Sequence, residues 1–182
     1  MIILAKSAGF CFGVKRAVET LEVEAEKTKI STLGPIIHNG DVVKAFEDIG
    51  VYSYDNPADV PKDSKIAIRA HGVPKETIDD ITARGYEYTD LTCPFVKKIH
   101  NIVAKAQSEG KQIVIIGDKN HPEVIGINGW CENNAIIALD ISDISGKIDI
   151  CEKVCLVCQT TMDRQTFEKI SQFVNDELSS FW

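Results

Sequence analysis

CFGVKRAVETLEVEAEKTKI (residues 11–30) and CPFVKKIHNIVAKAQSEGKQI (residues 93–113) are two copies of one pattern. Each opens on C-x-x-V-K-[KR], continues with apolar residues at helical spacing, and ends on a strand-like run. Cys11 and Cys93 stand 82 residues apart. The next segments match as well: LGPIIHNGDVV from Leu33 and IGDKNHPEVIG from Ile116 each place a Gly after a strand and a His four residues later. His38 and His121 are 83 residues apart. A looser third match sets His71 in IRAHGVPKETI against Gln159, Thr160 and Thr161 in LVCQTTMDRQTF, with 88 residues from His71 to Gln159. Generic β-α units resemble one another, but three matches in one order at nearly one offset argue for an internal repeat.

The repeat divides the chain into an N-terminal strand segment, 1–10, and two quasi-equivalent modules, 11–92 and 93–182. A third module would begin with its own cysteine where the sequence ends. Ile- and Val-rich runs alternate with amphipathic stretches, so each module is expected to be a small α/β unit with a parallel or mixed sheet. Strands are expected at 2–6, 30–33, 65–69, 86–90, 112–117, 135–139 and 153–158. Helices are expected at 14–27, 40–49, 75–84, 95–109, 122–131 and 163–180.

Composition narrows the function. The 182 residues are 44% hydrophobic and 26% charged, as in ordinary globular domains. No apolar run is long enough for a membrane helix, and the N-terminus lacks a cleavage pattern, so a cytoplasmic protein without a membrane role is expected. The formal net charge of -7 opposes general nucleic-acid binding but allows a local anion site. Six cysteines without an export signal read as thiols or metal ligands rather than disulfides.

Cys11 and Cys93 each follow a strand-like run and open a helix, where backbone N–H groups suit an anionic sulfur ligand. Matching modules that each present one cysteine would build an iron–sulfur site without a C-x-x-C run. The plainer alternative is a pair of small buried or capping residues. His38, His71 and His121 fall at strand ends, where ligands bind in parallel sheets, and suit a diphosphate-sized anion. Each could instead be a solvated loop residue.

Glu123, two residues after His121, can point into the same cleft and deliver protons, or merely complement the helix dipole. Thr160, with Gln159, can pass a proton or bind a substrate oxygen, or cap the next helix. Thr161 is expected to be such a cap. Cys155 and Cys158 fall on opposite faces of one strand and cannot converge on a metal, so with Cys151 they read as structural. Cys131 beside Trp130 reads as packing, and His100 as a structural residue inside its helix.

The segments GFCFGVKRAV, LGPIIHNGDVV, IRAHGV, DLTCPFVKK, NHPEVIG and CQTT resemble, in this order, the 4-hydroxy-3-methylbut-2-enyl diphosphate reductases (IspH/LytB family). The resemblance implies a pseudo-threefold architecture of three α/β domains around a 4Fe-4S cluster. It implies reductive dehydroxylation of a diphosphate substrate to isopentenyl and dimethylallyl diphosphate in isoprenoid biosynthesis, with electrons from ferredoxin or flavodoxin. By position it makes Cys11 and Cys93 cluster ligands, His38, His71 and His121 substrate contacts, Glu123 the proton donor and Thr160 its hydroxyl partner. It also implies that strand 1–10 pairs within the third domain. The family's third cysteine, in an N-T-x-C context, and its Ser-x-Asn diphosphate contacts belong to a domain following Trp182. This sequence by itself is therefore expected to bind a cluster poorly and to reduce little. A cluster-free two-domain protein that binds diphosphates is the competing reading, and a disulfide-bearing structural protein is the third.

Overall fold

A computed structural model describes residues 8–149 and 151–179. The strand expected at 2–6 lies outside them. In chain order the elements are α1 (Phe12–Ala25), β1 (Ile30–Leu33), α2 (Gly40–Asp48), β2 (Ser53–Tyr54), β3 (Lys65–Ile68), α3 (Lys75–Ala83), β4 (Tyr88–Asp90), α4 (Pro94–Ser108), β5 (Gln112–Ile116), α5 (Pro122–Gly129), β6 (Ile136–Ala138), β7 (Val154–Cys158) and α6 (Arg164–Ser179). Single 3-10 turns stand at Pro57–Asp59 and Ile141–Asp143. The chain forms two compact units, one of residues through Ala70 with Asp80–Pro94, the other of His71–Asp79 with Phe95 onward.

The first unit is built on a parallel sheet of order β2-β1-β3-β4. All of β1 is buried, and Ile66, Ala67 and Ile68 of β3 are inaccessible to solvent. Continuous burial is what a parallel strand covered on both faces requires, and it explains why KIAI does not alternate with polar residues. Helix α1 turns Gly13, Ala17 and Leu21 inward at four-residue spacing, and Ala17 and Leu21 join Ile30, Ile36, Phe46 and Leu91 in one core. Helix α2 stops at Asp48, and Gly50, at φ +87°, reverses the chain in a conformation side chains disfavour.

The second unit carries a parallel sheet of order β6-β5-β7. Its central strand reads IVII over 113–116, and all four residues are at most 2% exposed. Alternate residues feed two cores. Ile113 and Ile115 pack with Val103, Val124 and Ile127 from α4 and α5, whereas Val114 and Ile116 pack with Ile170 and Val174 of α6. Each fully buried Ile of this kind contributes about 1.5–3 kcal/mol of burial free energy. Cys155 packs against the first of these cores and Cys158 against the second, on opposite faces of β7. Burial pushes both thiols above their ordinary range.

The two sheets share a plan: β1 and β5 are central, β2 and β6 flank them on one side, and β3 and β7 on the other. Strand β2 was not expected, because two half-buried residues, Ser53 and Tyr54, make no apolar run. The repeat contained the missing signal: the 83-residue spacing of His38 and His121 carries Ile136, the start of β6, onto Ser53. Among the described residues no helix is long and apolar enough to cross a membrane.

Candidate active site

Strands β5 and β7 are hydrogen-bonded neighbours, with Ile116 opposite Cys158, so the loops leaving their carboxyl ends meet at one edge of the sheet. Such edges are where parallel α/β sheets bind ligands. Gly117 leaves β5, and a methyl there would press on Val124 Cγ2 at 2.6 Å and Gln159 Cβ at 3.1 Å. Glycine lets the two loops close on each other. Gln159 holds them: its N–H donates to Ile116 O at 2.8 Å, its Oε1 accepts from Asp118 N at 3.3 Å, and its Nε2 donates to Thr161 Oγ1 at 2.8 Å.

Thr160 is presented by this clamp. Its backbone N–H donates to Glu123 Oε1 at 2.6 Å and its hydroxyl to Glu123 Oε2 at 2.8 Å. Glu123 is 2% exposed, while Thr160 is exposed. A buried carboxyl group needs hydrogen-bond partners for its oxygens, and Thr160 serves both of them. The pair therefore couples an inaccessible acid to an accessible hydroxyl.

His121 caps α5, its Nδ1 accepting the Glu123 N–H at 3.1 Å. As an acceptor Nδ1 carries no proton, so the ring's hydrogen resides on Nε2. His71, in the same unit, meets His121 edge to face, with centroids 5.5 Å apart at 78°. Thus His71, His121, Glu123 and Thr160 all belong to the second unit. His100 is buried and stacked on Trp130, a packing role.

His38 lies in the first unit, exposed, where the loop after β1 enters α2. With Pro35, Ile37, Asn39, Gly40 and Lys44 it lines a groove of about 580 Å³. Asn39, not His38, caps α2, its side chain accepting from Val42 N at 3.1 Å. Arg69, at the end of β3, is a half-buried cation held beside Gly34. Burial depresses its pKa and the charge of Asp55 opposes that shift.

Cys11 and Cys93 also lie in the first unit. Cys11 is the exposed N-cap residue of α1, and its side chain caps nothing. Cys93 follows β4, its N–H donating to Ala70 O at 2.9 Å, and Pro94 starts α4 directly after it. Its sulfur rests on the first turn of α1: a methyl at Gly13 would collide with Cys93 Sγ and stand 3.1 Å from its Cβ. Two thiols, each opening a helix of fourteen or fifteen residues, are a donor set suited to a soft metal centre. Cys131 is different in kind, since burial pushes its thiol up to about 11.

The expectation for Thr161 is corrected: it accepts from Gln159, and Asp163 caps the following helix by taking the N–H of Thr166 at 2.9 Å. The clamp of Gln159 and the close-approach glycines Gly13 and Gly117 escaped sequence reasoning. A glycine in the first turn of a helix was the one available signal for Gly13.

Comparison with known proteins matches this architecture to relatives. Residues 2–181 match the family model described as LytB protein. A 4-hydroxy-3-methylbut-2-enyl diphosphate reductase of Clostridium perfringens (strain 13 / Type A) is 47% identical over 173 residues, covering 93% of this chain and 60% of that protein. One of Clostridioides difficile (strain 630) is 42% identical over 180 residues, covering 97% and 64%. A solved (E)-4-hydroxy-3-methyl-but-2-enyl diphosphate reductase, described as the terminal enzyme of the non-mevalonate pathway, superposes with TM-score 0.82 at 36% identity, over 96% of this chain and 63% of that one. The E-1-hydroxy-2-methyl-but-2-enyl-4-diphosphate reductase of Plasmodium falciparum gives 0.87 at 30%, over 96% and 55%. The chain thus spans about three fifths of the length of the curated relatives it matches. With the family model matched across residues 2–181, this chain belongs to the LytB protein family.

Proposed function

We propose that this chain supplies the proton-handling pair, the substrate-binding histidines and two cluster thiolates to a 4-hydroxy-3-methylbut-2-enyl diphosphate reductase. The observation that carries the reading is the buried Glu123, both of whose oxygens are taken by the N–H and hydroxyl of the exposed Thr160. The overall reaction takes up two electrons and two protons, breaks the allylic C–O bond, and releases the hydroxyl as water, leaving isopentenyl or dimethylallyl diphosphate.

Thr160 gives its hydroxyl proton to the departing oxygen and is reprotonated by the Glu123 carboxyl. Burial of Glu123 keeps bulk water from competing for that proton. His71 and His121 bind and orient the anionic substrate through imidazole N–H donors, and His38 contributes from the loop entering α2. Cys11 and Cys93 would hold an iron–sulfur cluster through their sulfur atoms. When bound, a 4Fe-4S cluster supplies the one-electron steps, drawing on a low-potential carrier of the ferredoxin or flavodoxin class.

The test is to graft the chain in place of the matching segment of a reductase relative, then reconstitute the product anaerobically with iron and sulfide. Reduction of 4-hydroxy-3-methylbut-2-enyl diphosphate by reduced viologen is the expected result. Cys11→Ser or Cys93→Ser should abolish iron uptake and turnover together. A graft that binds the diphosphate yet takes up no iron would favour the non-redox reading instead.

A further inference from the structure

Helix α5 carries glycines at 126 and 129, three positions apart, although neither has the positive φ that would demand one. Glycine weakens a helix relative to alanine, so a reason outside the helix is required. Segment His71–Pro74 provides it. A methyl at Gly129 would collide with Pro74, whose Cα and Cγ lie 2.8 and 3.1 Å from it. At Gly126 a methyl would make ordinary contact, 3.6 Å from His71 O and from the carbonyl carbon of Gly72.

The next residue completes the seat. Trp130 Nε1 donates to Val73 O at 3.0 Å, and its ring stacks on His100 at 5.2 Å and 17°. His100 is itself 3% exposed, so the indole has a fixed support. The strap from His71 to Pro74 therefore lies along one turn of the helix that His121 caps. At its start His71 meets His121 edge on.

We propose that Gly129 and Trp130 are positioning residues that hold the 71–74 strap on α5, so that His71 and His121 face one anionic ligand as a preformed pair. The proposal rests on the reading of these histidines as substrate contacts. Fixing both rings before binding removes an ordering cost that the ligand would otherwise bear. Gly126, on the same face, is the control. Gly129 is intolerant of any side chain, Trp130 acts through its N–H, and Gly126 has room for a methyl.

The test uses the full chain, with histidine imidazole signals followed by NMR and inorganic pyrophosphate binding followed by calorimetry. Gly129→Ala should displace the His71 signals and weaken pyrophosphate about tenfold, a loss typical of disordered binding groups. Trp130→Phe keeps an aromatic ring for the stack on His100 and removes the N–H with part of the indole, so it decides the matter if Gly129→Ala fails to fold. It should move the His71 signals in the same way. Gly126→Ala should leave both readouts as in the parent and raise the thermal midpoint. Folded Gly129→Ala and Trp130→Phe chains with parental His71 signals would overturn the proposal. If the parent itself ignores pyrophosphate, the substrate reading of the histidines fails, while the imidazole signals still decide whether the strap is held.

Discussion

Helices α2 and α5 occupy equivalent places in the two repeats, yet α2 is exposed at both ends and α5 is anchored at both. At the start of α2, His38 and the first-turn acid Asp41 are exposed, and Asn39 provides the cap. At the start of α5 the histidine is itself the cap, and the first-turn acid Glu123 is buried against Thr160. At the far ends, Ile49 after α2 is 62% exposed, whereas Trp130 and Cys131 after α5 are tied into the core. The same strand, glycine, histidine and helix plan thus yields an exposed loop in one copy and a hydrogen-bonded, partly buried polar site in the other. What differs is the partner arriving from the next strand, because β7 leads into Gln159 and Thr160.

The largest expected consequence concerns chemistry. In the grafted reductase, Glu123→Gln should lower turnover by about a hundredfold or more with little change in KM, since it removes a proton and keeps the shape. Asp41→Asn, the equivalent change on α2, should leave turnover unaltered. Equal effects of the two in steady-state assays would erase the contrast.

Stability should differ next. Ile127→Ala on α5 removes a fully buried side chain and should cost about 2–5 kcal/mol in urea unfolding. Val42→Ala on α2, where the side chain is only partly buried, should cost distinctly less.

Alkaline pH provides a third comparison, through Cys131 at the end of α5. Burial raises its folded pKa from 9.0 to about 11, so the unfolded chain gives up this proton first. Stability is therefore full below pH 9 and declines as pH rises toward 11. Burial of Cys155 and Cys158 acts in the same direction. The urea midpoint of the parent should fall more between these pH values than that of Cys131→Ala. The smallest effect belongs to the cap of α2: Asn39→Ala should cost about 1 kcal/mol by the same measurement.

Much of this was legible in the sequence, because the signals were local. The runs KIAI and QIVII read as strands of a parallel or mixed sheet and form buried parallel ones, and the helices were bounded to within a few residues by their apolar spacing. The choice of Glu123 and Thr160 as candidates came from their places after strands. Their pairing did not, because it depends on two loops 37 residues apart meeting at one sheet edge. First-turn acids at 41 and 123 look alike in sequence, and only tertiary burial separates them. The helical glycines escaped sequence reasoning for the same cause. Gly13 is needed for the sulfur of Cys93 and Gly129 for Pro74, and neither neighbour is near in sequence.

The central claim is that the accessible hydroxyl of Thr160 relays the proton of the buried Glu123. Its most direct test is single-turnover reduction by the grafted enzyme carrying Thr160→Val or Thr160→Ser, with substrate affinity measured alongside. The account predicts that valine lowers the rate while affinity holds, and that serine, which keeps the hydroxyl, restores the parental rate. A valine variant as fast as the parent would contradict it.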